Sequence, residues 1–259
     1  YVRPLDKVKN GNLRYLTTDQ FIRQLDFFEN EFGFLSPDEF KYNFEKKIQT
    51  NKVFLTFDDG LKDHYKYVFP LMKERGVKGL FFIPTSIFND EIVLKVHKVH
   101  HLLSNYDSEK LYKTSLDLID LSIINLNNYS KSEIYKYSKH EDYEYKVKRL
   151  FNYELNHSDG EIILDELLEK YTIPRDLFKK IYLTKNQLKE MKEDGQIIGS
   201  HTANHKILSS LEYENQKIEI VKSFKSLSEF YSPNFKAISY PYGYKFTYDN
   251  KTLSILDNQ

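Results

Sequence analysis

At 259 residues the chain is long enough to bury a core as one large domain or two small ones, and a single α/β barrel fits that length. Lysine plus arginine and aspartate plus glutamate each total 38, so no overall field points to nucleic acid or an anionic membrane, and no nucleic-acid partner is expected. Cysteine is absent, which excludes disulfides and thiolate metal sites and leaves His, Asp and Glu as the ligands any metal would need.

No cationic-then-apolar leader opens the chain, and no stretch approaches the roughly 20 apolar residues that cross a bilayer. Because the sequence begins at Tyr1, a preceding signal or anchor stays open, and with it the choice between cytoplasm and cell envelope. Residues 18–32, "TDQFIRQLDFFENEF", place Phe21, Leu25 and Phe28 at helical spacing behind Thr18 as cap. Val53 to Phe57 reads as a strand covered on both faces, "DHYKYVFPLMKERG" as a helix stopping at Gly76, and "VKGLFFIPT" as a second buried strand. That strand, helix, strand order implies parallel pairing. From about Leu102 to Lys180, apolar residues such as Val147, Leu150 and Phe151 recur at three- and four-residue spacing, which predicts amphipathic helices inserted into the α/β pattern. The alternation then resumes: "TKNQLKEMKEDG" a helix, "QIIGS" a strand, "LEYENQKIEIVKSFKSLSEFY" a helix and "FKAISYP" a last strand.

Three fragments sit where strands end, the usual home of function in α/β folds. Asp58 and Asp59 close the first strand ahead of Gly60; alone, such a trio is also an ordinary turn. In "IIGSHTANHKIL", His201 and His205 stand four apart, a spacing that on a helical turn lets both imidazoles reach one cation, and that hydrogen-bonded or exposed histidines also show. Two His plus one Asp make a facial ligand set for Zn²⁺ or another divalent ion with positions left open. In "AISYPYGYKF" the strand ends in Tyr240, Pro241, Tyr242 and Gly243, a turn with aromatic packing.

Taken together and in this order, "TFDDG", "HTANH" and "YPYG" resemble the motifs of the polysaccharide deacetylases, the NodB-homology domains of carbohydrate esterase family 4. The resemblance covers about residues 50–90 and 184–243, and "YVRPL" looks like the family's first strand cut short. It implies an α/β fold, a distorted (β/α) barrel of roughly seven or eight strands. Here that barrel would be one domain over 1–259, with a helical insertion at 102–180 and incomplete at both ends. Only about four or five strands can be placed, so the barrel is expected to stay open, with an unpaired edge prone to aggregation.

The resemblance also assigns roles. Asp59, His201 and His205 would hold a divalent ion, zinc first and cobalt, nickel, manganese or iron(II) as alternatives, which activates a water and polarises the acetyl carbonyl. Asp58 would be the general base. The oxyanion would be met by the Tyr242 N–H, since Pro241 has none. Thr202 would support the metal loop, and Tyr240, Pro241 and Thr202 are the residues set against substrate, with Tyr240 and Tyr242 as a flat wall for a sugar. The implied reaction is hydrolysis of a carbon–nitrogen bond, removing N-acetyl from an amino-sugar glycan of bacterial type or its precursor. Alternatives are a glycan-binding protein that has lost turnover, and a deacetylase of O-acetyl esters or small amides.

Two departures bear on these alternatives. Where the family often carries an arginine that pairs with the catalytic Asp, this sequence has Ser239. The later motifs, one with a tryptophan and one with a histidine that protonates the leaving amine, do not follow Gly243. His97, His100 and His101 are candidates to replace that acid, whereas His64 reads as a helix-surface residue.

Overall fold

In the computed structural model, which describes residues 1–4, 15–89, 92–120, 142–171, 177–231 and 235–258, β1 (Val2–Arg3) pairs in parallel with β2 (Leu16–Thr17). Helix α1 (Thr18–Glu31) follows at once. Its cap is Thr17 rather than the expected Thr18: the Thr17 hydroxyl accepts from the Gln20 N–H at 3.1 Å, and the Gln20 side chain accepts from the Thr17 N–H at 2.8 Å. This reciprocal box satisfies two helix-end donors, and Phe21 and Leu25 carry the helix onto the core. Thr17→Ala should cost about 1 kcal/mol, read as a lower urea midpoint at unchanged slope.

Helix α2 (Pro37–Lys46) is capped the same way by Ser36 and Glu39. Strand β3 (Leu55–Phe57) is shorter than the expected run from Val53, which instead forms a single parallel bridge with Phe34, and it is not covered on both faces as expected: Leu55 and Phe57 are half-buried and Thr56 is exposed. The helix expected up to Gly76 is split into a π-helical turn, His64–Val68, and α3 (Phe69–Glu74). Pro70 offers no N–H to the ladder, and beside it the Phe69 N–H reaches back five residues to His64 O. His64 is not on the surface as expected. It is 5% exposed, with Phe57 at 5.5 Å and Phe81 at 6.0 Å between ring centres.

Strand β4 (Gly79–Ile83) is buried along its whole length, which is why it reads as an unbroken apolar run. Helix α4 (Ser86–Asn89) follows it. The chain then supplies α5 (Lys95–Asn105), α6 (Ser108–Leu118), α7 (Tyr143–Arg149) with a π-helical turn at Leu150–Glu154, and α8 (His157–Lys170). It returns through α9 (Leu177–Ile181) and α10 (Lys185–Glu193) to β5 (Ile197–Ser200), α11 (Tyr213–Ser226) and α12 (Asn250–Leu256).

These elements sort into two units, one taking in Tyr15–Ile92 and Phe178–Gln259 with the opening residues, the other Val93–Leu177. The first is α/β with parallel strands. Its sheet has the order β3-β4-β5, with Phe57 opposite Phe81 and Phe81 opposite Ile198. The expected last strand contributes one parallel bridge, Ile238 to Ser200, because only Ala237 O and the Ser239 N–H bond to the Ser200 backbone, at 2.8 and 2.9 Å. Beside it, Leu208, Ile220, Phe224 and Ile255 form a buried cluster.

The second unit is helical, around Leu102, Leu111, Phe151, Leu164 and Leu167. Lys98 is buried there with Glu161 and Asp165 as its acceptors; burial opposes its charge, and the two carboxylates outweigh it to raise the pKa. Residues 121–141 and 172–176 of the expected helical run lie outside the described residues. No helix among the described residues is long and apolar enough to cross a membrane.

Candidate metal centre

The ends of β3 and β5 deliver the ligands of the site. After β3 the chain turns sharply, with φ of +79° at Asp59 and +60° at Gly60. A Cβ on Gly60 would lie 2.9 Å from Ile87 Cδ1, so the third residue of the motif is glycine for want of room as well as for its φ. After β5, His201 and His205 lie on a loop and not on the helical turn the four-residue spacing suggests. Positive φ at Thr202 (+64°) and His205 (+55°) folds that loop tightly enough to bring the two rings to 4.8 Å, edge to face.

The result is a cluster. Asp59 Oδ1 is 3.5 Å from His201 Nε2 and 3.4 Å from His205 Nε2, and one ligand atom from each residue lies within 4.8 Å of the others. Both histidines are buried, at 2% and 7% exposure. His201 Nδ1 donates to Ser239 O at 2.9 Å in the tautomer that leaves Nε2 free to ligate, as metal-binding imidazoles are usually held. Two nitrogens and a carboxylate oxygen, turned inward, suit zinc and its first-row neighbours. The residues fit a divalent cation.

Asp58 stands beside this cluster. Its side chain is 47% exposed, Oδ2 is 4.0 Å from His201 Nε2, and the Ser239 hydroxyl donates to Oδ2 at 3.3 Å. Displaced water raises the carboxyl's pKa; His201 draws it back, Asp59 adds to the rise and Ser239 opposes it. Burial opposes protonation of His201, yet Asp59 first and then Asp58 hold its pKa above the ordinary imidazole value. These mutual shifts describe carboxylates and imidazoles crowded where a cation would relieve them.

The third fragment forms a turn closed by the Gly243 N–H on Tyr240 O at 3.1 Å. Pro241 is buried at its first corner, and Tyr242 occupies the second at φ +67°, where a type II turn favours glycine. The Tyr242 ring meets His205 edge-on at 4.9 Å. Tyr240 stacks on Tyr248 at 4.3 Å and packs against the apolar cluster behind the sheet. Thr202 is fully buried; its hydroxyl accepts from the His205 N–H at 3.1 Å, a supporting position with no face toward solvent. Among the described residues, Asp59, Thr202, His205 and Tyr242 are four of the five non-glycine residues with positive φ, the fifth being Lys47. Each costs about 1–3 kcal/mol, and backbone strain gathers where function over-determines it.

Sequence reasoning missed the loop's supports. The Thr85 and Ser86 N–H groups donate to Thr202 O and Ala203 O at 3.2 and 2.9 Å, and the Ser239 carbonyl anchors His201; backbone bonds of this kind leave no mark in a motif. His97, His100 and His101 lie on α5 in the second unit, His97 at 1% exposure.

Against known families, the polysaccharide deacetylase model matches residues 45–141 and 161–258. The chain belongs to the polysaccharide deacetylase family. YxkH of Bacillus subtilis (strain 168), a protein named as a polysaccharide deacetylase, is 33% identical over 104 residues, 39% of this chain. The match spans 36% of that relative's length. Among solved structures, the Streptococcus pyogenes deacetylase PplD, solved with acetate, covers all of this chain and 75% of its own at TM-score 0.54 and 21% identity. A de-N-acetylase of Aggregatibacter actinomycetemcomitans gives 0.54 at 14% identity and IcaB of Ammonifex degensii 0.52 at 17%, each over 100% of this chain and over 82% and 77% of its own. These neighbours share the fold.

Proposed function

We propose that the chain is a metal-dependent N-deacetylase acting on an amino-sugar glycan or its precursor. The observation that carries the reading is the convergence of Asp59, His201 and His205, from two strand ends, on one point with Asp58 alongside. A divalent ion held there, zinc by preference, would activate a water and polarise the acetyl carbonyl. Asp58, close to the cluster yet open to solvent, takes the proton as water attacks the carbonyl carbon. The Tyr242 N–H faces the oxyanion, a part Pro241 cannot play. Tyr242, half-buried beside His205, offers an apolar face to the sugar ring. We take the parallel sheet as part of the family's distorted barrel, with 102–180 as an insertion in a single domain.

The rival reading is a glycan-binding protein without turnover, and its support is that Asp58 meets the Ser239 hydroxyl where the family often pairs it with arginine. The purified chain should bind one zinc and release acetate from N-acetylated oligosaccharides, and a chelator should stop that release. Zinc binding with no acetate from any sugar tested would favour the rival, and acetate from O-acetyl esters alone would move the substrate class.

A further inference from the structure

Thr202, Ala203 and Asn204 lie between the two histidines, on a loop whose positive φ values need outside support. Part of that support comes from β4, through the His201 N–H on Ile83 O at 3.0 Å, and from the turn into α4, through the Thr85 and Ser86 N–H groups. The rest comes from α11. Glu219, 3% exposed, accepts from the Asn204 backbone N–H at 2.7 Å and from Asn204 Nδ2 at 2.8 Å, one donor to each carboxylate oxygen. Lys206 Nζ is 3.6 Å from Glu219 Oε1. One helical turn on, the Ser223 and Ser200 hydroxyls meet at 2.6 Å, and Ser200 Oγ also accepts from the Thr202 N–H at 3.1 Å. Thus α11 presents at i and i+4 two polar groups that grip the loop at both ends. A carboxylate this deeply buried destabilises a fold unless donors satisfy it, and here the donors are the loop's own groups.

We propose that Glu219 is a positioning residue of the metal centre: by fixing both the backbone and the side chain of Asn204, it holds His205 where its imidazole can share a cation with Asp59 and His201. The inference rests on the metal reading above and extends it to a helix that supplies no ligand.

The test is zinc affinity, measured by competition with a chelating dye on the full chain. Glu219→Gln turns an amide N–H₂ toward Asn204's own donors, and Asn204→Asp sets two carboxylates face to face. The double exchange restores the match, because the new amide donates to the new carboxylate while its carbonyl still accepts the backbone N–H. Each single variant should lose about 10- to 100-fold in zinc affinity, with kcat falling at little-changed KM, and the double exchange should recover most of both losses. Glu214→Gln, on the exposed side of α11, should change neither. If Glu219→Gln does not fold, Asn204→Ala decides, since it removes only the side-chain arm and leaves the backbone bond. Variants that fold and bind zinc as the unmodified chain does would overturn the inference alone. No zinc binding by the unmodified chain would overturn the metal reading and the inference with it.

Discussion

Asparagine in place of Asp58 is expected to cut acetate release about 10²- to 10⁴-fold while zinc stays bound. Alanine in place of its neighbour Asp59 is expected to abolish release and lose the zinc as well. Adjacent acids of the same type part ways because the backbone turns between them: at φ +79° Asp59 swings its carboxylate inward, 3.4–3.5 Å from both imidazoles. Asp58 is left beside the cluster with its side chain 47% exposed to water. Asparagine keeps the size and the Ser239 contact of Asp58 but cannot take a proton. A second readout separates the pair further. Zinc at 100 times its Kd should stabilise the Asp58→Asn chain by about 2.7 kcal/mol, as it would the unmodified chain, and should do nothing for Asp59→Ala. Full turnover in Asp58→Asn would remove the base from the proposal, and zinc loss in it would mean that the two roles are reversed or shared.

How far the sequence carried this site depended on the kind of contact involved. The end of β5 was legible because a buried parallel strand reads as an apolar run, here stopping at His201; β3, which stops at Asp58, is only half-buried with Thr56 exposed, and the run before Tyr240 forms a single bridge. The path between His201 and His205 was not legible. A four-residue spacing suggests a helix, but the loop is set by hydrogen bonds donated by the Thr85 and Ser86 N–H groups and accepted by the Glu219 carboxylate, residues remote in sequence. One signal was available: Gln216, Glu219 and Ser223 fall at helical spacing among the buried residues of α11, a polar stripe on an inward face that calls for polar partners. His64 erred the other way. Its helical context suggested a wet face, and the π-helical turn beside Pro70 leaves it packed against Phe57 and Phe81.

Gly199→Val is expected to destabilise the chain by about 3 kcal/mol and to weaken zinc binding at the same time. A Cβ at this position would lie 2.6 and 2.7 Å from Phe82 Cδ1 and Cε1 and 3.1 Å from Ala237 O, and valine adds two methyl groups to that crowding. Phe82 is 9% exposed on β4, and Ala237 O holds the Ser200 N–H at 2.8 Å, so either adjustment disturbs a strand that ends at the site. The disturbance lies two residues from His201, whose Nδ1 is bonded to Ser239 O on that same neighbouring segment. Urea melts in chelator and in saturating zinc separate the two effects. The chelator curve reads the packing cost, and the gap between the curves reads how well the ligands still converge. A midpoint that falls while the gap stays constant would show that β5 absorbs the overpacking before it reaches the histidine, making this glycine a matter of sheet packing alone. A gap that closes as the midpoint falls would place residue 199 among those that shape the metal centre from beneath.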